Sequence, residues 1–499
     1  MKNHLRQIIW AISLLWAVSI TAHQREIIVS QRGVKGDGVT LNTLRLQQAI
    51  DELSQQGGGR LRFPAGCYLT GSLQLRNGVE LHLEQGATLL GSSDPTHYTA
   101  LQKSQALERN DNSQLALLLA DEARQIAISG QGTIDGNGRA LALAVDSLHH
   151  AGLCIDPHYN YKRMRPNETA RPKLFFFAGC KGIRVQGVTL KSSAAWGLSF
   201  DRCEQMLLED LTVVNRAYWN NDGIDVTDCR NVIIRRCDID SADDGICLKS
   251  YHADACNDSI LMSDCTIRSS ASAVKFGSAS RGGFRNVEIR RIRVRDTFRS
   301  AIAIESVDGA LIEHVRVSDI VATQTGNALF IRLGHRSGDT PGRIRDVQIR
   351  RLWCEVPFGR PDEAYDLRGP EVNFFHNPFP SSITGIPGAC VEDVVLEDIE
   401  MVCPGRSSKG MAYVPLHRLG DVPEQEKEYP EFSMFGELPC WALYVRHVRG
   451  LQLRRLRLTL RDEEFRPALV LDDVEGDRLE QVESNWEEAW IIRRPLPKK

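Results

Sequence analysis

Apolar and polar residues alternate along most of this chain in short runs, each broken by Gly, Asn or Asp. One phrase keeps returning: CKGIRVQGVTL from Cys180, CEQMLLEDLTV from Cys203, CRNVIIRRCDI from Cys229 and CNDSILMSDCTI from Cys256. It continues as GFRNVEIRRIRV from Gly283, GALIEHVRVSDI from Gly309, GRIRDVQIRRLW from Gly342, CVEDVVLEDIEM from Cys390 and GLQLRRLRLTL from Gly450. Upstream, GVELHLEQGATLLG from Gly78 and RQIAISGQGTIDG from Arg124 fit the same phrase. Period-two alternation over such short runs predicts strands, and repeats of roughly 20 to 30 residues predict strands stacked in a solenoid. A leucine-rich repeat would need a leucine spacing that is absent, and propeller blades need longer units. The pattern therefore reads as all-β, a right-handed parallel β-helix.

Two kinds of segment depart from the pattern. Residues 23–75 contain one helix, about Asn42 to Gln55, with leucine, alanine and isoleucine on one face. A solenoid needs its open end covered, so this region reads as an N-terminal cap. The solenoid then spans 76–485, with insertions near 356–387 and 403–439 and a tail at 486–499. The insertions carry EVNFFHNPFP and EYPEFSMFGELP, rich in Pro, Gly and aromatics. Insertions in a solenoid emerge as loops on one face, often the binding face.

Composition narrows the partners. At 499 residues the chain exceeds the usual single domain, a limit that solenoids escape by growing along one axis. A net charge of −3 with 61 basic residues gives no argument for nucleic acid or an anionic membrane as partner. The N-terminus has Lys2 and Arg6 before an apolar run from Ile8 to Ile20, then small residues, which reads as a signal peptide over residues 1–22. That run is shorter than the roughly 20 residues needed to span a bilayer, so an exported, periplasmic or secreted protein is expected, without membrane insertion once the signal is removed. Of the thirteen cysteines, Cys180, Cys203, Cys229 and Cys256 recur 23, 26 and 27 positions apart. One place in each repeat implies a buried stack of small hydrophobes, with few or no disulfides and no metal-type spacing.

The candidate chemistry lies in YWNNDGIDV, Tyr218 to Val226, and SADDGICLKS, Ser241 to Ser250. Asp222 precedes Asp243 and Asp244 by 21 and 22 residues, close to one coil, and rungs lie about 4.8 Å apart. Three carboxylates can thus converge on one outer face, where repulsion favours keeping one protonated. A protonated acid beside ionised ones suits glycoside hydrolysis, in which one group donates to the leaving oxygen and another activates water. Ordinary Asp-Gly turns, a Ca²⁺ site as in β-helical lyases, and a solvated edge are the competing readings.

With both phrases in view, the sequence resembles glycoside hydrolase family 28, the polygalacturonase family, in a bacterial branch. The likeness runs from GVKGDGVTLNTLRLQQAID through GTIDGNGR, RPKLFFFAGC and SSAAWGLSF to NNDGIDV, DDGICLKS and FGSASRGGFRNV, with EYPEFSMFGELPCWALYVRHV further on. It implies a parallel β-helix and inverting hydrolysis of a pectin-type or related polysaccharide or oligosaccharide, needing no metal and no cofactor; a monomer is expected. The family's NTD motif falls on Asn220, Asn221 and Asp222, and its acid pair on Asp243 and Asp244. The resemblance implies Asp243 as general acid, Asp222 and Asp244 as water activators, Asn220 or Asn221 as orienting groups, and Lys249 beside them. Asp225 and Asp240 read as structural.

Two departures bear on the substrate. The family's glycine-flanked histidine falls on Ser272, in SASAVKFGS. Its Arg-Ile-Lys triplet, which grips a galacturonate carboxylate, falls on SAIAIES and places Ala303 and Glu305 where the cations stand. An anionic sugar against Glu305 is repelled, which argues against homogalacturonan. Arg332, His335 and Arg336 of IRLGHR are candidate replacements, with His252 a weaker one. A lyase on the same solenoid and a non-catalytic carbohydrate-binding β-helix are the alternatives.

Overall fold

The computed structural model describes residues 25–101, 113–362, 379–408, 414–486 and 491–494. The expected signal peptide, parts of the two insertions and most of the tail lie outside these residues. Among the described residues no helix is long and apolar enough to cross a membrane. The chain forms two compact units, one reaching to Ala242 with Ser259–Leu261 added, the other made of Asp243–Asp258 and the residues from Met262 onward.

In the first unit the repeats stack as parallel ladders. Phe175, Leu198 and Ile224 are register partners on successive strands, as are Ile183, Met206 and Val232, and Ile134, Leu190 and Val213. Because successive side chains face opposite ways, the apolar member of each alternation fills the interior and its neighbour points out. The expected helix is present as Thr43–Gln55, burying Leu46, Ala49, Ile50 and Leu53. A second helix, Gly138–His150, was not anticipated; GRALALAVDSLHH buries Leu141, Ala142 and Val145.

The second unit is likewise built of parallel ladders, in the manner of a right-handed parallel β-helix. Val274, Ile302 and Leu329 are register partners, as are Phe276, Ile304 and Ile331. A second face runs through Val315, Val347 and Val394. The acidic and basic doublets of the repeat sit at left-handed corners, with Arg291 on Asp264 at 2.6 Å and Arg351 on Asp319 at 2.6 Å. These pairs are roughly half exposed, so each contributes at most about 1 kcal/mol.

All thirteen cysteines are free. Cys180, Cys203 and Cys229 form the expected buried stack, the Cys203 amide donating to Cys229 Sγ at 3.3 Å. Cys256 departs from it and is only half-buried.

Between Cys403 and Leu443 the described residues leave the ladder and cover part of the outward face of the second unit. Leu419, Val422, Phe432, Phe435, Leu438 and Cys440 pack over Ala303, Phe330, Tyr444 and Val470. These last four occupy outward positions whose strand neighbours fill the interior. A row of apolar outward residues would be costly in water, and the irregular segment removes it from solvent.

Candidate active site

In the first unit, Asp222 precedes the strand Ile224–Thr227 and is buried. Its backbone carbonyl accepts from the Gly197 amide at 2.9 Å and from Asn215 Nδ2 at 2.8 Å, which fixes the carboxylate's point of departure. Asn221 is fully buried, donating to the carbonyls of Ser193 and Ala195 at 3.0 and 2.6 Å and accepting from the Tyr218 amide at 2.6 Å. It is a clasp for the loop before Asp222, with all three of these bonds made to backbone groups. Asn220 is left-handed, with its Oδ1 accepting from Arg171 at 2.9 Å. Arg171 also donates to the carbonyls of Ala194 and Trp219, both at 2.6 Å, so the buried arginine of RPKLFFF moulds this loop. Lys173 of the same phrase is buried and donates to Ser199 Oγ at 3.1 Å; Ser199 is the register partner of Asp225. Asp240 pairs with Arg216 at 3.0 Å, in keeping with a structural part.

In the second unit the acid pair stands at the foot of the strand Ile246–Ser250. The Asp244 amide donates to Asp243 Oδ1 at 2.9 Å, and Ser269 Oγ donates to the Asp243 carbonyl at 2.6 Å. Gly245 completes the DDG motif for a steric reason, since a Cβ there would lie 2.5 Å from Ile267 Cγ2 and 2.6 Å from the Ala273 carbonyl. Both carboxyls are buried. Asp244 Oδ1 accepts from the Ser272 amide at 3.0 Å, so the residue in the histidine's place contributes through its backbone.

Lys275, which sequence reasoning missed, lies at the centre of this unit's site. Its ammonium is 3.2 Å from Asp244 Oδ2, 3.8 Å from Glu305 Oε2 and 3.2 Å from the Tyr429 hydroxyl, with the side chain only 2% exposed. Burial by itself pushes the Asp244 carboxyl up, but Lys275, Lys249 and Arg299 outweigh it and hold Asp244 at about 2. Burial also pushes Glu305 up, and the more distant Lys275 offsets only part of this, leaving it at about 7. Burial pushes the Lys275 ammonium down, and Asp244 and Glu305 reverse that, holding it well above the ordinary lysine value. Glu305 is therefore a buried carboxyl beside an ammonium, not the exposed anion pictured from the sequence. Lys249 is buried too, donating to Cys247 Sγ at 3.2 Å. A lone lysine among uncharged residues in SASAVKFGS was the signal available for Lys275; nothing local pointed to Tyr429, which lies 154 positions away.

The replacement cations do not behave as expected. The Arg332 guanidinium is buried and donates to the carbonyls of Gly385 at 2.9 Å, Glu424 at 2.6 Å and Gln425 at 3.0 Å. It fastens the irregular segment instead of facing a sugar. Arg336 is committed to Asp308 at 2.6 Å and to the Ser278 carbonyl at 3.1 Å. His335 bonds within its own turn, to the Gly338 carbonyl at 3.0 Å. His252 is half-buried in the turn after the strand that follows the acid pair.

The family model for Glycosyl hydrolases family 28 matches residues 64–341, more than half of the chain and both acidic motifs. The chain belongs to this family. It is a glycoside hydrolase. Among its relatives, a Vitis vinifera protein named "Probable polygalacturonase" is 26% identical over 395 residues, covering 77% of this chain and 71% of the relative. An endo-polygalacturonase of Pectobacterium parmentieri is 25% identical, covering 60% of this enzyme and 73% of the relative. Among solved structures, the exopolygalacturonase of Thermotoga maritima superposes with a TM-score of 0.60 at 23% identity, over 76% of this chain and 87% of that one. The family 28 exopolygalacturonase of Yersinia enterocolitica gives 0.58 at 18% identity, over 94% and 77%. At such identities the superpositions speak for the β-helix fold alone.

Proposed function

We propose that this glycoside hydrolase cleaves a pectin-type polysaccharide or oligosaccharide with inversion, Asp243 serving as general acid and Asp222 and Asp244 as the carboxylates that activate water. The observation that carries the reading is Asp244, a buried carboxylate kept ionised by an ammonium at 3.2 Å, a state suited to a base and not to an acid. The polygalacturonase names of its relatives support the pectin class. The sugar unit recognised is neutral, because Ala303 and Glu305 are buried and the cations near them are engaged, Lys275 by two acids and Arg336 by Asp308. The covered outward face of the second unit supports exo-action, on the reading that the irregular segment walls the substrate groove. Export, supported by the Lys2 and Arg6 n-region and the apolar run behind it, places the enzyme with extracellular or periplasmic glycan.

The test is a screen of defined pectic oligosaccharides, with products separated by chromatography and anomeric configuration followed by NMR. Inverted product released from neutral-sugar ends, and lost in Asp243→Asn, is the expected result. Rapid cleavage of polygalacturonate would overturn the neutral-unit reading, and unchanged turnover in Asp243→Asn would overturn the acid assignment.

A further inference from the structure

Lys275, Ala303 and Glu305 are parts of one arrangement. Lys275 and Ala303 are register partners on neighbouring parallel strands. Val274 and Phe276 flank the first, Ile302 and Ile304 the second, and all four are buried with no exposure. Both side chains therefore point outward on the same face, about 4.8 Å apart. The methyl of Ala303 leaves room for the long side chain of Lys275. An arginine at 303 would fill that room and set a second cation against the first in a buried setting, where like charges repel strongly. Glu305, two residues further along the same face, supplies a second acid to the same ammonium at 3.8 Å. The Tyr429 hydroxyl, at 3.2 Å, closes the cluster from the irregular segment, and its ring remains 46% exposed.

We propose that Lys275 is a positioning residue for hydrolysis: it orients Asp244 and keeps it anionic, Ala303 and Glu305 form the niche that accepts it, and Tyr429 locks it there. The cationic charge of this site thus stands one rung earlier than the 303 and 305 positions and serves the catalytic carboxylate, not a sugar carboxylate. The irregular segment becomes part of the catalytic arrangement through Tyr429. The inference rests on the reading of Asp244 as a water-activating carboxylate. The charged and titratable groups around Asp244 in this unit are Asp243, Lys249, Cys247, Lys275, Arg299, Glu305 and, through Lys275, Tyr429.

The experiment measures kcat and KM from pH 2 to pH 8 for wild type, Lys275→Met, Lys275→Arg, Tyr429→Phe and Asp243→Asn. The substrate is the pectic oligosaccharide that the wild type cleaves fastest, and thermal melting monitors folding. Lys275→Met is expected to lower kcat about 100-fold with KM changed less than about 3-fold, and to move the acid limb of kcat upward by more than about one pH unit. Lys275→Arg restores the limb toward wild type, a rescue that a packing role would not give, because arginine fits the niche less well than methionine. Tyr429→Phe, which keeps the ring, lowers kcat about 3- to 10-fold with the limb moved in the same direction. A folded Lys275→Met with the wild-type limb and kcat overturns the proposal. If that variant does not fold, wild-type kcat and an unmoved limb in Tyr429→Phe overturn it instead. Turnover that survives in Asp243→Asn overturns the acid/base reading beneath it, a result separate from either of these.

Discussion

Replacing Glu305 with Gln removes a buried titratable group while keeping its shape, and the consequence can be worked out from the site. Burial, only partly offset by Lys275, lifts this carboxyl from 4.5 to about 7. The gap of roughly 2.5 pH units, at about 1.36 kcal/mol per unit, corresponds to about 3 kcal/mol. The sign follows from proton counting: between pH 4.5 and 7 the folded protein retains a proton that the unfolded chain has lost. Its contribution to stability is full below the unfolded value and is lost as pH rises through the folded one. The Gln variant has no such loss. Urea unfolding of both proteins, followed by circular dichroism in steps from pH 4 to pH 8, is the assay. The two should be alike at pH 4, and the variant should gain steadily, to about 3 kcal/mol in its favour at pH 8. A difference that stays flat across this range would refute the placement of Glu305 as a buried, incompletely compensated carboxyl.

Further predictions follow from other contacts. Arg332→Met strands three backbone carbonyls, so hydrogen exchange over residues 416–435 should accelerate by an amount equivalent to about 2 kcal/mol or more; unchanged exchange there would contradict its anchoring part. Asn221→Ala should destabilise the protein by about 2 to 4 kcal/mol in thermal melts and slow turnover through the loop that bears Asp222, whereas a loss under about 0.5 kcal/mol would show that the clasp is dispensable. Because all thirteen thiols are free, melting with and without dithiothreitol should coincide, and a lower midpoint under reduction would reveal a bridge.

The solenoid was legible because each repeat must bury one side of every strand, and that requirement writes period-two alternation into the chain whatever the outward residues do. The buried cysteines showed the same register, although Cys256 departs from the buried stack. The helix Gly138–His150 was missed because its glycine-rich approach, GTIDGNGR, reads as another turn between strands. The acid pair was visible through its motif, whereas its electrostatics were not. Lys275 occupies an ordinary polar position of a strand, and its meaning depends on Ala303 and Glu305 one rung away and Tyr429 far along the chain. Arg332 shows the converse: its charge suggested a ligand for a sugar acid, but backbone carbonyls from two distant stretches occupy its two terminal nitrogens. Sequence period reports which way a side chain points, and it is silent on what an irregular segment lays over it.

The apolar cover over Phe330, Tyr444 and Val470 also bears on how the proposed exo-acting enzyme's rate would be counted. On the exo-action proposed above, polymer mass is a poor measure of substrate, and the molar concentration of free termini is the right one. Fragmenting a polysaccharide tenfold without changing its weight then multiplies the available sites tenfold. On the same proposal, a decorated terminal residue would silence the whole chain behind it, however many cleavable bonds that chain contains.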